Sequence, residues 1–245
     1  MMKLLRLSLK FLQLPVRMIL AILPDPIRTV ATFEARSYYG RMFAKPLVLN
    51  REAKNYLNLG CGGRTFEDYI NIDFFFSPSA DYEADLRFPL MIEDAAVDGI
   101  FTEHTIEHLT YDQVEQLLRE CYRILKPNGT LRIVVPDIGI FAKNYAENNV
   151  GWFEEWEKYM FINSGDPDRI NRRMISPMIA ISFVTQEYGH VSCWDFETME
   201  KFLQKARFKN IRKVDFKVSS DKRLLKDNDS IDRVSVSLYV EASKE

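Results

Sequence analysis

Short apolar runs recur along the chain from Lys54 onward, and the first three end on a glycine or an acid. Tyr56, Leu57 and Leu59 lead into Gly60-Cys61-Gly62-Gly63. Tyr69 to Ile72 ends on Asp73, and a third, shorter run ends at Asp85. Val97 to His104 predicts a fourth strand, and Leu131 to Val135 a fifth, apolar enough to be buried on both faces. Between these two the period changes. Val114, Leu117, Leu118, Cys121, Ile124 and Leu125 recur at helical spacing. Thr110 and Gln113 stand at capping-box positions ahead of that stripe, and Lys126-Pro127-Asn128-Gly129 stops it.

A second helix follows Asp195, with Phe196, Met199, Phe202, Leu203 and Ala206 on one face. Ile211 to Phe216 predicts a sixth strand. Val234, Val236, Leu238 and Val240 alternate with polar positions, the pattern of a half-exposed antiparallel strand. Residues 217–230 join the last two strands as a polar hairpin. The spacing near the glycines is tight, with nine residues between Leu59 and Tyr69. A parallel crossover takes a dozen or more, so the first crossover helix is expected to be very short or absent. Glycines at a strand end let the backbone approach a ligand and adopt φ > 0. The carboxyl ends of strands are where open α/β sheets bind ligands.

This ordered text resembles the class I S-adenosylmethionine-dependent methyltransferases, in the small-molecule branch called type 11. The match runs over about residues 54–137, with a weaker one over 190–242. The resemblance implies an α/β, Rossmann-like, seven-stranded and mostly parallel sheet. Its last strand is antiparallel, helices cover both faces, and S-adenosyl-L-methionine is the cofactor. It implies cofactor contacts at Gly60, Cys61, Gly62, Asp73, Phe74, Asp85, Leu86 and Glu103. Asp73 would accept from the ribose hydroxyls, Phe74 or a neighbouring phenylalanine would pack on the adenine, and Asp85 with Leu86 would meet the adenine edge. Asn58, where many members carry an acid, and the short first crossover depart from the family.

The amino-terminal side differs in kind. Lys3, Arg6, Lys10, Gln13 and Arg17 form one narrow polar stripe on an otherwise apolar helix. Residues 1–46 hold eight basic side chains against Asp25 and Glu34. The stretch from Met18 to Leu23 is too short to span a bilayer. Residues 1–24 are therefore expected to lie on an anionic membrane surface, or to pack on their own domain or on a partner subunit. A further helix is expected over Ile27 to Phe43, then an extended lead-in from Pro46 to Leu49. Residues 1–50 thus form an arm and lead-in, and residues 51–245 the methyltransferase domain. That domain carries a helical cap insertion over about 138–190, where aromatic residues and Arg169, Arg172 and Arg173 suit an apolar or sugar ligand bearing an anionic group.

Charge narrows the partners. With 33 basic and 35 acidic residues the chain is nearly neutral, which argues against nucleic acid. Three scattered cysteines fit a reducing cytosol and no zinc ribbon. A cytoplasmic protein, peripheral on the inner face of the membrane, is expected. His104-Thr-Ile-Glu107-His108 has the spacing of a zinc-protease motif, but a strand ends at His104, so no metal is expected. Tyr122 and Lys126 mimic a dehydrogenase pair on a core helix, without the matching glycine spacing. For a hydroxyl acceptor, His104 or His190 is the candidate base, while His108 is expected to pack at the start of its helix. The expected reaction is methyl transfer to a small-molecule, glycan or lipid-linked acceptor. A non-catalytic cofactor-binding scaffold is the alternative.

Overall fold

The computed structural model describes residues 24–162 and 176–245. Helix α1 spans Asp25–Phe43, starting with an acid and with Pro26 in the first turn, where a missing N–H costs nothing. Strands β1 (Tyr56–Leu59), β2 (Ile70–Asp73), β3 (Tyr82–Glu83) and β4 (Val97–Glu103) follow. A 3-10 turn, Ile106–His108, leads to α2 (Tyr111–Ile124), which begins with both capping-box bonds formed by Thr110 and Gln113. Then come β5 (Leu125–Pro136), α3 (Ile138–Ala146), and α4 (Val150–Glu157), which runs into a π turn at Lys158–Ile162. After the undescribed residues come α5 (Pro177–Gln186), a 3-10 turn at Glu187–Gly189, and α6 (Phe196–Lys205), capped by the Asp195 carboxylate. Strand β6 (Lys209–Lys213), the short α7 (Ile231–Val234) and β7 (Ser237–Ser243) complete the chain.

The seven strands form one sheet in the order β3-β2-β1-β4-β5-β7-β6. The first five are parallel, and β7 runs antiparallel between β5 and β6. One face carries Leu57, Leu59, Ile72, Ile100, Ile133 and Leu238 against the apolar stripes of α2 and α6. The other face carries Tyr56, Phe101, Val134 and Tyr239, covered by Tyr69, Leu224 and flanking loop residues. A third cluster, built on Phe141, Phe153, Trp156 and Phe183, is the core of the cap.

No helix separates β1 from β2. Two asparagines organise the crossover instead. Asn58 donates through Nδ2 to Arg64 O at 2.9 Å and to Asn71 Oδ1 at 3.1 Å. Asn71 accepts from the Phe66 amide at 2.9 Å and donates to Phe66 O at 3.0 Å. Backbone groups that a helix would pair internally are paired by side chains. An acid at position 58 could not donate, which gives the departure at Asn58 a physical reason.

Three expectations need correcting. Residues 217–230 are not a polar hairpin. They fold back over the sheet and bury Leu224 and Asp227. Strand β7 is not half-exposed, since all but its last residue are buried, and Val234 lies in α7. The sixth strand sits earlier, at Lys209–Lys213, with a register shift against β7. The first two share a cause in Arg132, which is fully buried in β5. Its guanidinium donates to both Asp227 oxygens, at 2.8 and 2.6 Å, and to Glu241 Oε1 at 3.0 Å. The amino-terminal arm and Arg169, Arg172, Arg173 and Met174 lie outside the described residues, Pro24 of the arm apart.

Candidate active site

Beyond the carboxyl ends of β1, β2 and β4 lies an open cleft of about 390 Å³. Gly60, Gly62, Asp73, Phe74, Asp85 and Leu86 line it, with Phe33 from α1 and Thr105 after β4. Gly60 has φ +70°, and a β-carbon there would stand 2.2 Å from the Thr105 methyl. Only glycine fits this turn. The Gly60 and Cys61 amides both donate to Ile72 O, at 2.8 and 3.0 Å. They tie the glycine turn to β2 and so set the cleft floor.

Asp73 is half-buried, accepting from the Phe74 amide at 2.7 Å and from Ser77 Oγ at 3.4 Å. The three phenylalanines divide their work. Phe75 is buried beneath Gly40, where any β-carbon would collide with its ring. Phe76 is exposed, and Phe74 stacks on Phe33 with centroids 4.3 Å apart. Asp85 is buried, and its oxygens accept from Ser37 Oγ at 2.5 Å and Arg87 Nη2 at 2.7 Å. Arg87 reaches on to Glu34 of α1 at 2.5 Å. Burial pushes the Asp85 carboxyl up, but the Arg87 and Ser37 hydrogen bonds outweigh it and hold the group below the usual carboxylate range.

Two of the expected cofactor residues stand apart from the cleft lining. The Cys61 side chain is buried with Sγ 4.0 Å from Asp73 Oδ2, and burial beside that carboxylate pushes its thiol up to about 11. A neutral thiol is no nucleophile. The Glu103 carboxylate pairs with Arg64 and accepts from the Asn228 amide at 2.9 Å.

A second cavity, of about 250 Å³, opens beneath the cap. Trp156, Met160, Phe183 and Val184 form its apolar side, and Glu107, His190 and Arg233 its polar side. His104 and His108 line both this cavity and the cofactor cleft. His104 sits at the end of β4 with φ +49°, an uncommon conformation for a non-glycine residue. Its Nδ1 is 3.1 Å from Glu107 Oε1, and its Nε2 is 3.1 Å from Ser237 Oγ. The His190 ring meets the His108 ring edge to face, centroids 4.9 Å apart. The structure thus brings His104 and His190 together. It also corrects His108, which is exposed at the end of the 3-10 turn rather than packed at a helix start. Glu107, Thr105, Arg87 and Phe33 were missed as site residues. Only Glu107 had a local signal, the spacing between its flanking histidines.

A sheet of this strand order, with a ligand cleft at its carboxyl edge, defines a class I methyltransferase fold. The family model described as "Methyltransferase domain" matches residues 76–133, which is consistent with the type-11 branch of the class I methyltransferases. S-adenosylmethionine is the cofactor that this fold implies. The cleft fits that group, offering a close backbone approach at Gly60, the Asp73 carboxylate and the Phe74 and Leu86 side chains. Among curated proteins, none matches the chain. Solved structures similar to it include a SAM-dependent methyltransferase from Archaeoglobus fulgidus. That one is 15% identical, with 86% of this chain and 94% of that one covered, at a TM-score of 0.46. Another is a possible histamine N-methyltransferase from Thermotoga maritima, 15% identical, covering 87% and 89%, TM-score 0.44. A third is phosphoethanolamine N-methyltransferase 2 of Haemonchus contortus in complex with S-adenosyl-L-methionine. It is 14% identical, covering 87% of this chain and 52% of that one, TM-score 0.43. Among the described residues no helix is long and apolar enough to cross a membrane.

Proposed function

We propose that the protein moves a methyl group from S-adenosylmethionine to an amphiphilic small molecule held beneath the cap. The observation that carries this reading is the shared wall, since His104 and His108 face both the cofactor cleft and the cap cavity. When bound, the cofactor supplies a methyl group already activated on a sulfonium. The chain's main task is alignment, and fixing two reactants in line is worth ~7–11 kcal/mol. For a hydroxyl acceptor, His104 is the base. Its Nε2, beside Ser237, takes the proton, and the Glu107 carboxylate on the Nδ1 side balances the charge that results. A base of this kind contributes ~10²–10⁴-fold. The aromatic side of the cavity suits an apolar chain or sugar face, and Arg233 suits an anionic group.

A lipid-linked acceptor, such as a glycolipid or an isoprenoid-linked sugar, fits both ends of the cavity. It also suits residues 1–24 as a seat on anionic membrane. Exposed Ile27, Val30 and Met42 on α1 support an apolar contact on that side. Deleting residues 1–24 is expected to abolish sedimentation with anionic vesicles, and unchanged sedimentation would remove the membrane reading. The alternative of a non-catalytic scaffold draws on the Gly60 and Cys61 amides, both spent on Ile72 O. Turnover separates the two. S-adenosylhomocysteine formed with lipid or glycan fractions, and reduced ~10²–10⁴-fold by His104→Ala, supports the enzyme. Cofactor binding with no product from any fraction supports the scaffold.

A further inference from the structure

We propose that Glu107, His108 and His190 bind a divalent transition-metal ion at the floor of the cap cavity. Their ligand atoms lie within 4.8 Å of one another. The Glu107 side chain is 2% exposed. Among the described residues, neither of its carboxylate oxygens receives a hydrogen bond of good geometry. A buried carboxylate left in that state is costly, and His104 Nδ1, though 3.1 Å away, is not aligned to donate.

His190 supplies the second, independent observation. Its Nδ1 lies 2.8 Å from Val184 O. A carbonyl oxygen only accepts, so Nδ1 carries the hydrogen and the neutral ring holds its lone pair on Nε2. That Nε2 faces Glu107 Oε1 across 4.0 Å. Two acceptor atoms pointing at one another call for a cation between them. An imidazole whose other nitrogen donates to a backbone carbonyl is the usual support of a metal ligand. His108 stands edge-on to His190 and is exposed, so its ring is free to turn inward.

The donor set selects the ion. Two imidazoles and one carboxylate suit zinc or another late first-row ion better than magnesium or calcium. Ligand atoms in a tetrahedral zinc site lie roughly 3.4 Å apart, so the cluster closes by about 1 Å on loading. Three ligands leave a fourth position facing the cavity, where an acceptor oxygen can bind and be made more acidic. The protease-type spacing fails at its first histidine, because His104 ends a strand. His190, from beyond the cap, takes that place. The site does not depend on the methyl-transfer reading.

The full-length protein, stripped with a chelator and dialysed, is titrated with cobalt(II) chloride and followed by visible absorption. One equivalent is expected to give a tetrahedral-type band, which one equivalent of zinc removes. His190→Ala and His108→Ala are each expected to weaken binding at least about tenfold. Cys193→Ser should leave it unchanged, which excludes thiol capture. Glu107→Gln risks unfolding, so the exposed His108 keeps the test decisive. No band in cobalt excess, or wild-type affinity in both histidine variants, overturns the proposal. Titrating the same samples with S-adenosylhomocysteine tells failure of this site from failure of the cofactor cleft.

Discussion

Ser37 Oγ donates to Asp85 Oδ2 at 2.5 Å, joining α1 to the wall of the cofactor cleft across 48 residues. Both groups are buried, and Arg87 fills most of the remaining acceptor positions on Asp85. Asp85 thus anchors α1 in this structure. A hydrogen bond to a charged group is worth ~1.5–3 kcal/mol. Ser37→Ala should lower unfolding free energy by about that amount in a urea titration. A loss under about 0.5 kcal/mol would mean that α1 is held by its apolar contacts alone.

The glycine turn makes a steric prediction. Gly60→Ala places a methyl group against Thr105 in a backbone conformation that alanine resists. The expected cost is ~1–3 kcal/mol, together with weaker binding of S-adenosylhomocysteine. Gly62→Ala has open space around it and only its φ of +53° to oppose it. It should cost less than Gly60→Ala in the same thermal melts.

Arg132 and Asp227 form a two-pronged ion pair with no solvent exposure on either side chain. Removing Asp227 leaves the buried Arg132 guanidinium with Glu241 as its one remaining carboxylate partner among the described residues. Asp227→Ala is expected to destabilise the fold by ~3–5 kcal/mol, read from denaturant midpoints. A loss below about 1 kcal/mol would show that loop 217–230 opens without disturbing the sheet.

Acid should weaken the fold through identifiable groups. Burial raises the Glu241 carboxyl, but the donors of the Ser219–Ser220 turn, Arg212 and Arg132 outweigh it, and the folded value lies below the ordinary 4.5. Asp85 is likewise held below 3.8. Both bind protons less readily folded than unfolded, so their contribution is full above the unfolded values and is lost as pH falls through the folded ones. Melting temperature should hold steady from neutral to about pH 5, then drop below the unfolded carboxylate range. Glu241→Gln should flatten that drop.

Where an apolar run met a glycine or an acid, the chain was legible. Leu59 before Gly60 and Ile72 before Asp73 mark strand ends, because buried strands and ligand-binding turns demand opposite chemistry. The missing first crossover helix was legible from length alone. The fate of Arg132 was not. The apolar run around it marks a strand buried on both faces but names no partner for the charge, and its partners lie 95 and 109 residues away. The same long range hid Glu241 and the fold-back of residues 217–230. His108 was misread because the capping box starts at Thr110, and nothing local signals the exposed 3-10 turn before it. Phe33 and Arg87 entered the site only once α1 had docked.

The central claim is that the turn after Leu59 and the carboxylate of Asp73 hold an adenosine-bearing sulfonium cofactor. Calorimetric titration of the full-length protein with S-adenosylmethionine or S-adenosylhomocysteine tests it most directly. One site is expected, weakened about 10–100-fold by Asp73→Ala, the loss of hydrogen bonds to a charged acceptor. Absence of binding heat for both compounds, or equal affinity in Asp73→Ala, would contradict the account.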